Sequence, residues 1–458
     1  MPESESESES ENMSENENDS SRITRALLAI LLSSLALKLA LVWAVRDMGC
    51  LADECDYLLL AQRLAFGEGF QEIRGYLWPP GYVGFLAGCL ELFGPHRTVP
   101  RLIQVGLSTG TVLAVFVIAR RFHGQRTALL AAALVAFYPN LIAFSHLLWS
   151  ETLYIFLSMT ALAVILRRER LDWRWAAAAG AMLGLAALVR PLGFYVAVLV
   201  FLWMLWHARR EPRRAAAALV LMAAVALIIA PWTARNWVRY QRLCLIDATT
   251  GQNLYLGNNQ GRPASWDHGM PRPSYQEPDW RPPCAGDNVI DRDRCEVDAA
   301  VGFIAGQPGL TLRRIPTKLA DLANPSSFAI RHARVGKYAA ASSRTAIRAL
   351  TAVAAGAWMA LAALALWGLL LRRSPPGTGL IWALLGLTLA IHALTFGTSR
   401  FRLPLIPLLA IPAAAALLPA EAGESAQRIW LRRGALVLGW LLLAAAFAAR
   451  GSVVFDVF

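Results

Sequence analysis

From Ala26 to Val45 the chain reads ALLAILLSSLALKLALVWAV, and segments of this kind recur to its C-terminal end. A run of about 20 mostly apolar residues is long enough to cross the hydrocarbon core of a bilayer. Within lipid each such segment must satisfy its own backbone hydrogen bonds, which makes it a helix. About eleven spans are legible, roughly at 24–46, 99–119, 126–143, 151–166, 174–190, 192–207, 214–231, 346–371, 378–397, 403–419 and 433–449. The chain is 56% hydrophobic and only 17% charged, against about a quarter charged in soluble domains. The reading is an all-α polytopic membrane protein built around a bilayer.

The connections RRFHGQR, RRERLDWR, HARREPRR and LRRSPPG, with AQRIWLRR before the last span, alternate along the chain and are rich in arginine. The bias of basic loops towards the cytoplasm puts them, and the N-terminus, inside. They account for much of the net charge of +12, so nucleic acid is not an expected partner. Residues 1–23 form a low-complexity acidic tract, expected to be disordered, ahead of a transmembrane domain at 24–458. The tract lacks the basic start of a signal peptide.

Two large loops, 47–98 and 232–345, fall on the outer side. In the first, Tyr57, Leu60, Ala61 and Leu64 share a helical face, which predicts an amphipathic helix at the interface. Tyr76, Trp78 and Tyr82 suit the headgroup region. The second holds GQNLYLGNNQG and, from Gly306, a proline-broken amphipathic stretch. Cys50 and Cys55 lie in one loop and Cys284 and Cys295 in the other, where an oxidising compartment permits either bridges or free thiols.

Charges near spans are functional suspects because they are costly there. Asp53, Glu54 and Asp56 follow the first span, Glu151 opens the fourth, and Arg190 closes the fifth. Arg235 follows the seventh, His392, Arg400 and Arg402 cluster past the ninth, and Lys38 lies within the first. All fall in the outer half of the membrane. Arginines can hold an anionic phosphate by charge-assisted hydrogen bonds, and a carboxylate can take a proton from an attacking hydroxyl. Asp53, Asp56 and Tyr57 stand at i, i+3 and i+4, on one helical face. Arg74 and the amides Asn258 and Asn259 are further substrate-binding candidates in the two loops. Structural roles compete with each of these: a solvated charge for Glu54 or Asp56, a helix-dipole charge for Glu151, outward snorkelling for Lys38, and interfacial anchoring for the arginines. No strong metal-ligand spacing is present, so any metal is unknown.

DECDYLLLAQRLAFGEGF followed by RGYLWPPGYVGFLAG resembles the first outer loop of the GT-C glycosyltransferases, family 39, of the protein O-mannosyltransferase and aminoarabinose-transferase type. HLLWSETLYIF, GLAALVRPLGF, APWTARNW, GQNLYLGNN and SRFRLPLIP continue the resemblance in order from about residue 24 to 419. It implies a GT-C bundle with short interfacial helices in the two outer loops, acting on a polyprenyl-phosphate sugar. The family's Asp-Glu-x-x-Tyr is matched by Asp53, Glu54 and Tyr57, which makes Asp53 the expected general base. Glu151 stands in Ser-Glu where the family usually has Thr-Glu or Pro-Asp, and is expected to position the acceptor or a divalent ion. The arginine of SRFRLP resembles a lipid-phosphate contact, so Arg400, Arg402, Lys38 and His392 are assigned to the donor phosphate. No added soluble domain is visible, so the expected acceptor is a glycolipid, a lipid carrier or a cell-surface polysaccharide, as in enzymes that decorate lipopolysaccharide. The expected setting is a bacterial cytoplasmic membrane with an extracytoplasmic, inverting active site. The alternative is a transporter or lipid flippase, though such proteins usually keep their site near the midplane.

Overall fold

The structure is a computed structural model. It describes residues 3–167, 171–208, 211–260, 288–325, 343–371 and 378–418, with the isolated positions 284, 330 and 434. The described residues are helical, with two isolated β-bridges. The protein is the all-α, multi-span bundle that its hydropathy predicts.

Helix α1 (Glu3–Ala44) carries its span-like part from Ser20 to Ala44. The acidic tract, for which composition predicts disorder, is drawn as a continuation of this helix. Extending a helix already nucleated by an apolar span costs far less than starting one. Two shorter helices, α2 (Asp53–Ala65) and α3 (Pro80–Phe93), lie in the loop 47–98 and pack on each other. Helix α4 (Thr98–Ala136) joins two expected spans through a break at Gly124, whose φ of 78° suits glycine. The pair α5 (Pro139–His146) and α6 (Glu151–Arg167) bends by 116° at the Leu147–Ser150 break.

Helices α7 (Trp173–Val189), α8 (Leu192–His207) and α9 (Pro212–Tyr240) follow. A Cβ on Gly180 would lie 2.2 Å from the carbonyl oxygen of Leu221, so this glycine lets α7 and α9 approach closely. The segment after α9 carries α10 (Thr250–Gly257), α11 (Val289–Gly306) and α12 (Pro308–Leu322). Then come α13 (Arg344–Leu371), α14 (Gly379–Leu394), a 3-10 turn over Ser399–Leu405 and α15 (Ile406–Leu417), which packs on α13 and α4.

Among the described residues five helices are long and apolar enough to cross a membrane, or six if α5 and α6 form one bent span. The expected spans at 174–190, 192–207 and 378–397 are the shorter apolar helices α7, α8 and α14. The expected span at 433–449 lies outside the described residues.

The loops before α4 and after α9 are joined to one another. Ala248 N–H donates to the carbonyl of Leu77 at 3.0 Å, Tyr76 donates to Glu296 at 3.0 Å, and Arg235 donates to the carbonyl of Phe70 at 2.7 Å. Both loops also hold a disulfide, Cys50–Cys55 and Cys284–Cys295, which resolves the choice between bridges and free thiols.

Candidate active site

Helix α2 starts at Asp53 and buries Leu58, Leu60 and Ala61; of its three first-turn acids Glu54 and Asp56 are buried as well, and Asp53 keeps a third of its side chain exposed. Acids in a first turn are favoured by the helix dipole. Glu151 starts α6 in the same way. The turn Ser399–Leu405 contains Pro404 and winds as a tight 3-10 segment. This turn brings Arg400 between the two acids.

The guanidinium of Arg400 donates to Asp53 Oδ2 through Nη1 and to Glu151 Oε1 through Nε, and its Nη2 donates to Glu151 Oε2 at 3.1 Å. Arg190 donates to the same Glu151 Oε1 at 2.7 Å and to Ser150 Oγ at 3.1 Å. Tyr57 donates to Ser150 Oγ at 3.3 Å. Burial pushes the Tyr57 hydroxyl up to about 12, so it stays a neutral donor. Trp149 lies beneath Arg400, with the guanidinium carbon 4.4 Å from its ring centre. Four separated segments thus meet at one cluster of two acids and two arginines.

The cluster opens on a cavity of about 270 Å³. Asp53, Tyr57, Arg190 and Arg400 line it together with Thr249, Gln252 and Asn253. A second cavity of about 350 Å³ shares Arg190, Asn253, Phe396 and Phe401 with the first and continues between Leu192, Tyr195, Leu254, Ile391 and Pro404. His392 lines this second space, stacked on Phe401 at 4.9 Å, with its Nδ1 3.1 Å from the carbonyl oxygen of Phe396.

The remaining candidates lie elsewhere. Glu54 is turned inward against Arg101 at 3.0 Å, both side chains being fully buried. Burial pushes its carboxyl above the usual range, against the pull of Arg101. Asp56 is held by the exposed Arg74 at 2.7 Å, at the edge of the loop. Arg402 donates to the carbonyls of Leu322 and Asn324 and stacks on Trp358 at 4.3 Å, so it anchors the end of α12. Lys38 is fully buried in α1 without a hydrogen-bond partner among the described residues and does not line the cavity.

Asn258 and Asn259, expected to meet a sugar, are spent on structure. Asn258 Nδ2 donates to the carbonyls of Leu254 and Leu394 at 2.8 and 2.6 Å, and its Oδ1 accepts from Lys318 at 2.9 Å. Asn259 Nδ2 donates to the carbonyl of Tyr255 at 2.8 Å. The other end of α10 is fixed too, since Gly251 N–H donates to Asp293 Oδ1 at 2.7 Å. A Cβ on Gly251 would sit 2.1 Å from the Asp293 carbonyl oxygen, and one on Gly257 would sit 1.8 Å from that of Thr395. The two glycines of GQNLYLGNN are therefore close-approach positions, and its cavity-facing amides are Gln252 and Asn253.

Sequence reasoning missed Arg101 and Lys318. The first had a signal, an arginine one turn into an apolar helix. Lys318 also donates to the carbonyls of Ala393 and Leu394 at the end of α14, and burial lowers it to about 8. Nothing in the stretch RRIPTKLADL separates it from an ordinary solvated lysine.

The residues that meet here do not offer a divalent cation site. Both oxygens of Glu151 face guanidinium groups, and no group of three or more His, Cys, Asp or Glu among the described residues could hold a metal.

No curated protein matches the sequence. Among solved structures, the Archaeoglobus fulgidus oligosaccharyltransferase, crystallised with zinc and sulfate, is 17% identical, with a TM-score of 0.49 over 92% of this chain and 51% of its own. ArnT from Cupriavidus metallidurans, bound to undecaprenyl phosphate, is 16% identical, with a TM-score of 0.48 over 93% of this chain and 64% of its own. The chain therefore spans about half to two thirds of the length of these two proteins. Residues 78–234, about a third of the chain, match the family described as dolichyl-phosphate-mannose-protein mannosyltransferase.

Proposed function

We propose that this protein transfers a sugar from a polyprenyl-phosphate donor to a hydroxyl of a glycolipid, lipid carrier or cell-surface polysaccharide, with inversion, at the outer leaflet of a bacterial cytoplasmic membrane. The observation that carries the reading is the convergence of Asp53, Glu151, Arg190 and Arg400 on one cavity. Two carboxylates and two guanidinium groups balance formally, so an arriving phosphodiester meets arginines held in place before it binds. ArnT from Cupriavidus metallidurans was crystallised with undecaprenyl phosphate, and a lipid of that class suits the adjoining apolar cavity here.

In the reaction the acceptor oxygen attacks the anomeric carbon from the face opposite the phosphate. Asp53 takes the hydroxyl proton as the new C–O bond forms and the bond to phosphate breaks. The polyprenyl phosphate leaves with its negative charge held by Arg400. One such preorganised donor is worth about 3–4 kcal/mol of barrier. Glu151 holds the planes of Arg400 and Arg190, and no step runs through a metal. The extracytoplasmic placement is supported by the arginine-rich loops opposite the site and by a disulfide in each outer loop.

The test is Asp53→Asn in membranes given radiolabelled polyprenyl-phosphate sugar. Transfer should fall by about 10²–10⁴-fold while polyprenyl phosphate still binds, and undiminished transfer would remove Asp53 as the base. Mass spectrometry of surface glycolipids and polysaccharides from a deletion strain should show one sugar missing and so name the acceptor class. Thiol labelling that found the 47–98 loop on the cytosolic side would overturn the orientation.

A further inference from the structure

We infer that Trp149 is the positioning residue that sets Asp53 against Arg400, an inference that rests on the glycosyl-transfer reading of the cavity. Its side chain is completely buried, in the Leu147–Ser150 break between α5 and α6 and two residues before Glu151. The indole N–H donates to the carbonyl oxygen of Leu51 at 3.2 Å, two residues before Asp53. The guanidinium of Arg400 lies over its ring. One side chain thus touches the segments that carry Asp53 and Arg400 and belongs to the segment that carries Glu151.

The turn that leads into α2 needs a hold from outside. Ala52 has a φ of 51°, a conformation that residues with a Cβ seldom adopt. The carbonyl of Leu51 also accepts from the Glu54 N–H at 3.0 Å, so it closes the first turn of α2 and the indole fixes its direction. The ring does a different job. Arg400 spends the edge of its guanidinium on Asp53 and Glu151. An arriving phosphate must take one of those edge contacts, and taking the one to Asp53 frees that carboxylate to accept a proton. The face contact with Trp149 is not exchanged, so it keeps the guanidinium plane in place while its edge partners change. Trp149 is itself braced. The Phe144 ring meets it edge-on, with centres 5.3 Å apart. Gln104 donates to the carbonyls of Ser145 and Leu147 at 3.4 and 2.7 Å, which fixes the break that carries it.

The test uses the purified full chain. Binding of bare undecaprenyl phosphate is measured by native mass spectrometry. Transfer is measured in membranes of the deletion strain, which keep their own donor and acceptor, as the rate at which added enzyme restores the missing sugar. Trp149→Phe keeps a ring and removes the N–H. It should bind undecaprenyl phosphate within about twofold of wild type and transfer about tenfold more slowly. Combined with Asp53→Asn, it should cost no more than Asp53→Asn alone, because the N–H acts through that carboxylate. Trp149→Leu removes the ring as well and should also weaken undecaprenyl phosphate about tenfold. A merely structural tryptophan would lower both readouts together in both variants and add its loss to that of Asp53→Asn. That outcome, or wild-type binding and transfer in Trp149→Leu, would overturn the inference alone. Undecaprenyl phosphate that binds equally well to Arg400→Met, or a deletion strain that lacks no sugar, would instead overturn the reading on which it rests.

Discussion

Asp53 and Glu54 are neighbours in the chain, and each is paired with an arginine in a different medium. The side chain of Asp53 keeps 33% of its surface exposed against Arg400, whereas Glu54 and Arg101 both stand at 0%. The same division separates Arg400 from Arg402 in the 3-10 turn, one facing the cavity and the other bound to backbone carbonyls behind it. A wet pair keeps water as a fallback and can exchange partners during a reaction. The dry pair has no such fallback, so its value is structural: Arg101 also donates to the carbonyl of Val45 at 3.3 Å and so ties the exit of α1 to the start of α2. The contrast teaches that position relative to the cavity, rather than charge or proximity in sequence, divides the catalytic candidates from the framework.

The largest effect should come from breaking the dry pair. Arg101→Ala leaves Glu54 as an uncompensated buried charge and should cost about 3–5 kcal/mol, read by unfolding in detergent, with Glu54→Gln added to the same chain recovering part of the loss. A cost below about 1 kcal/mol would mean that water reaches this pair and would erase the distinction. Next, Arg402→Met strands two carbonyls and should cost about 1.5–3 kcal/mol, while the folded protein still binds polyprenyl phosphate; Arg400→Met should lose that binding. Smaller still, Asp53→Asn should change unfolding free energy by less than about 1 kcal/mol, although it removes transfer.

A separate expectation concerns pH. Burial pushes the carboxyl of Asp247 up from 3.8 to about 7, so folding favours its protonated form. That contribution is complete below 3.8 and is lost as pH rises through about 7. The thermal midpoint should therefore decline across this window. Asp247→Asn should flatten the slope, and an unchanged slope would show that the carboxyl is solvated.

Most of the bundle was legible in the sequence because hydropathy over about 20 residues is a local property. Asp53, Glu151 and Arg400 were legible for a related reason: a charge beside an apolar span is expensive wherever the span ends up. What sequence could not resolve depends on the packing partner. Arg400 and Arg402 are equivalent on the page, and only the carbonyls of Leu322 and Asn324, some 80 residues away, take one of them out of the site. Asn258 and Asn259 look like Gln252 and Asn253 within one motif, because an amide does not advertise whether it faces a cavity or a helix end. The break at Gly124 merged what hydropathy divides into two spans, and the span expected at 433–449 falls beyond the described residues.

The pinning of α10 by two glycines and an asparagine has a consequence for how such a chain can diverge. Contacts that set the helix's position and side chains that line the cavity occupy different residues. Substitution at 252 or 253 therefore touches none of the side-chain hydrogen bonds that hold α10, and the cavity lining can change while the helix keeps its place.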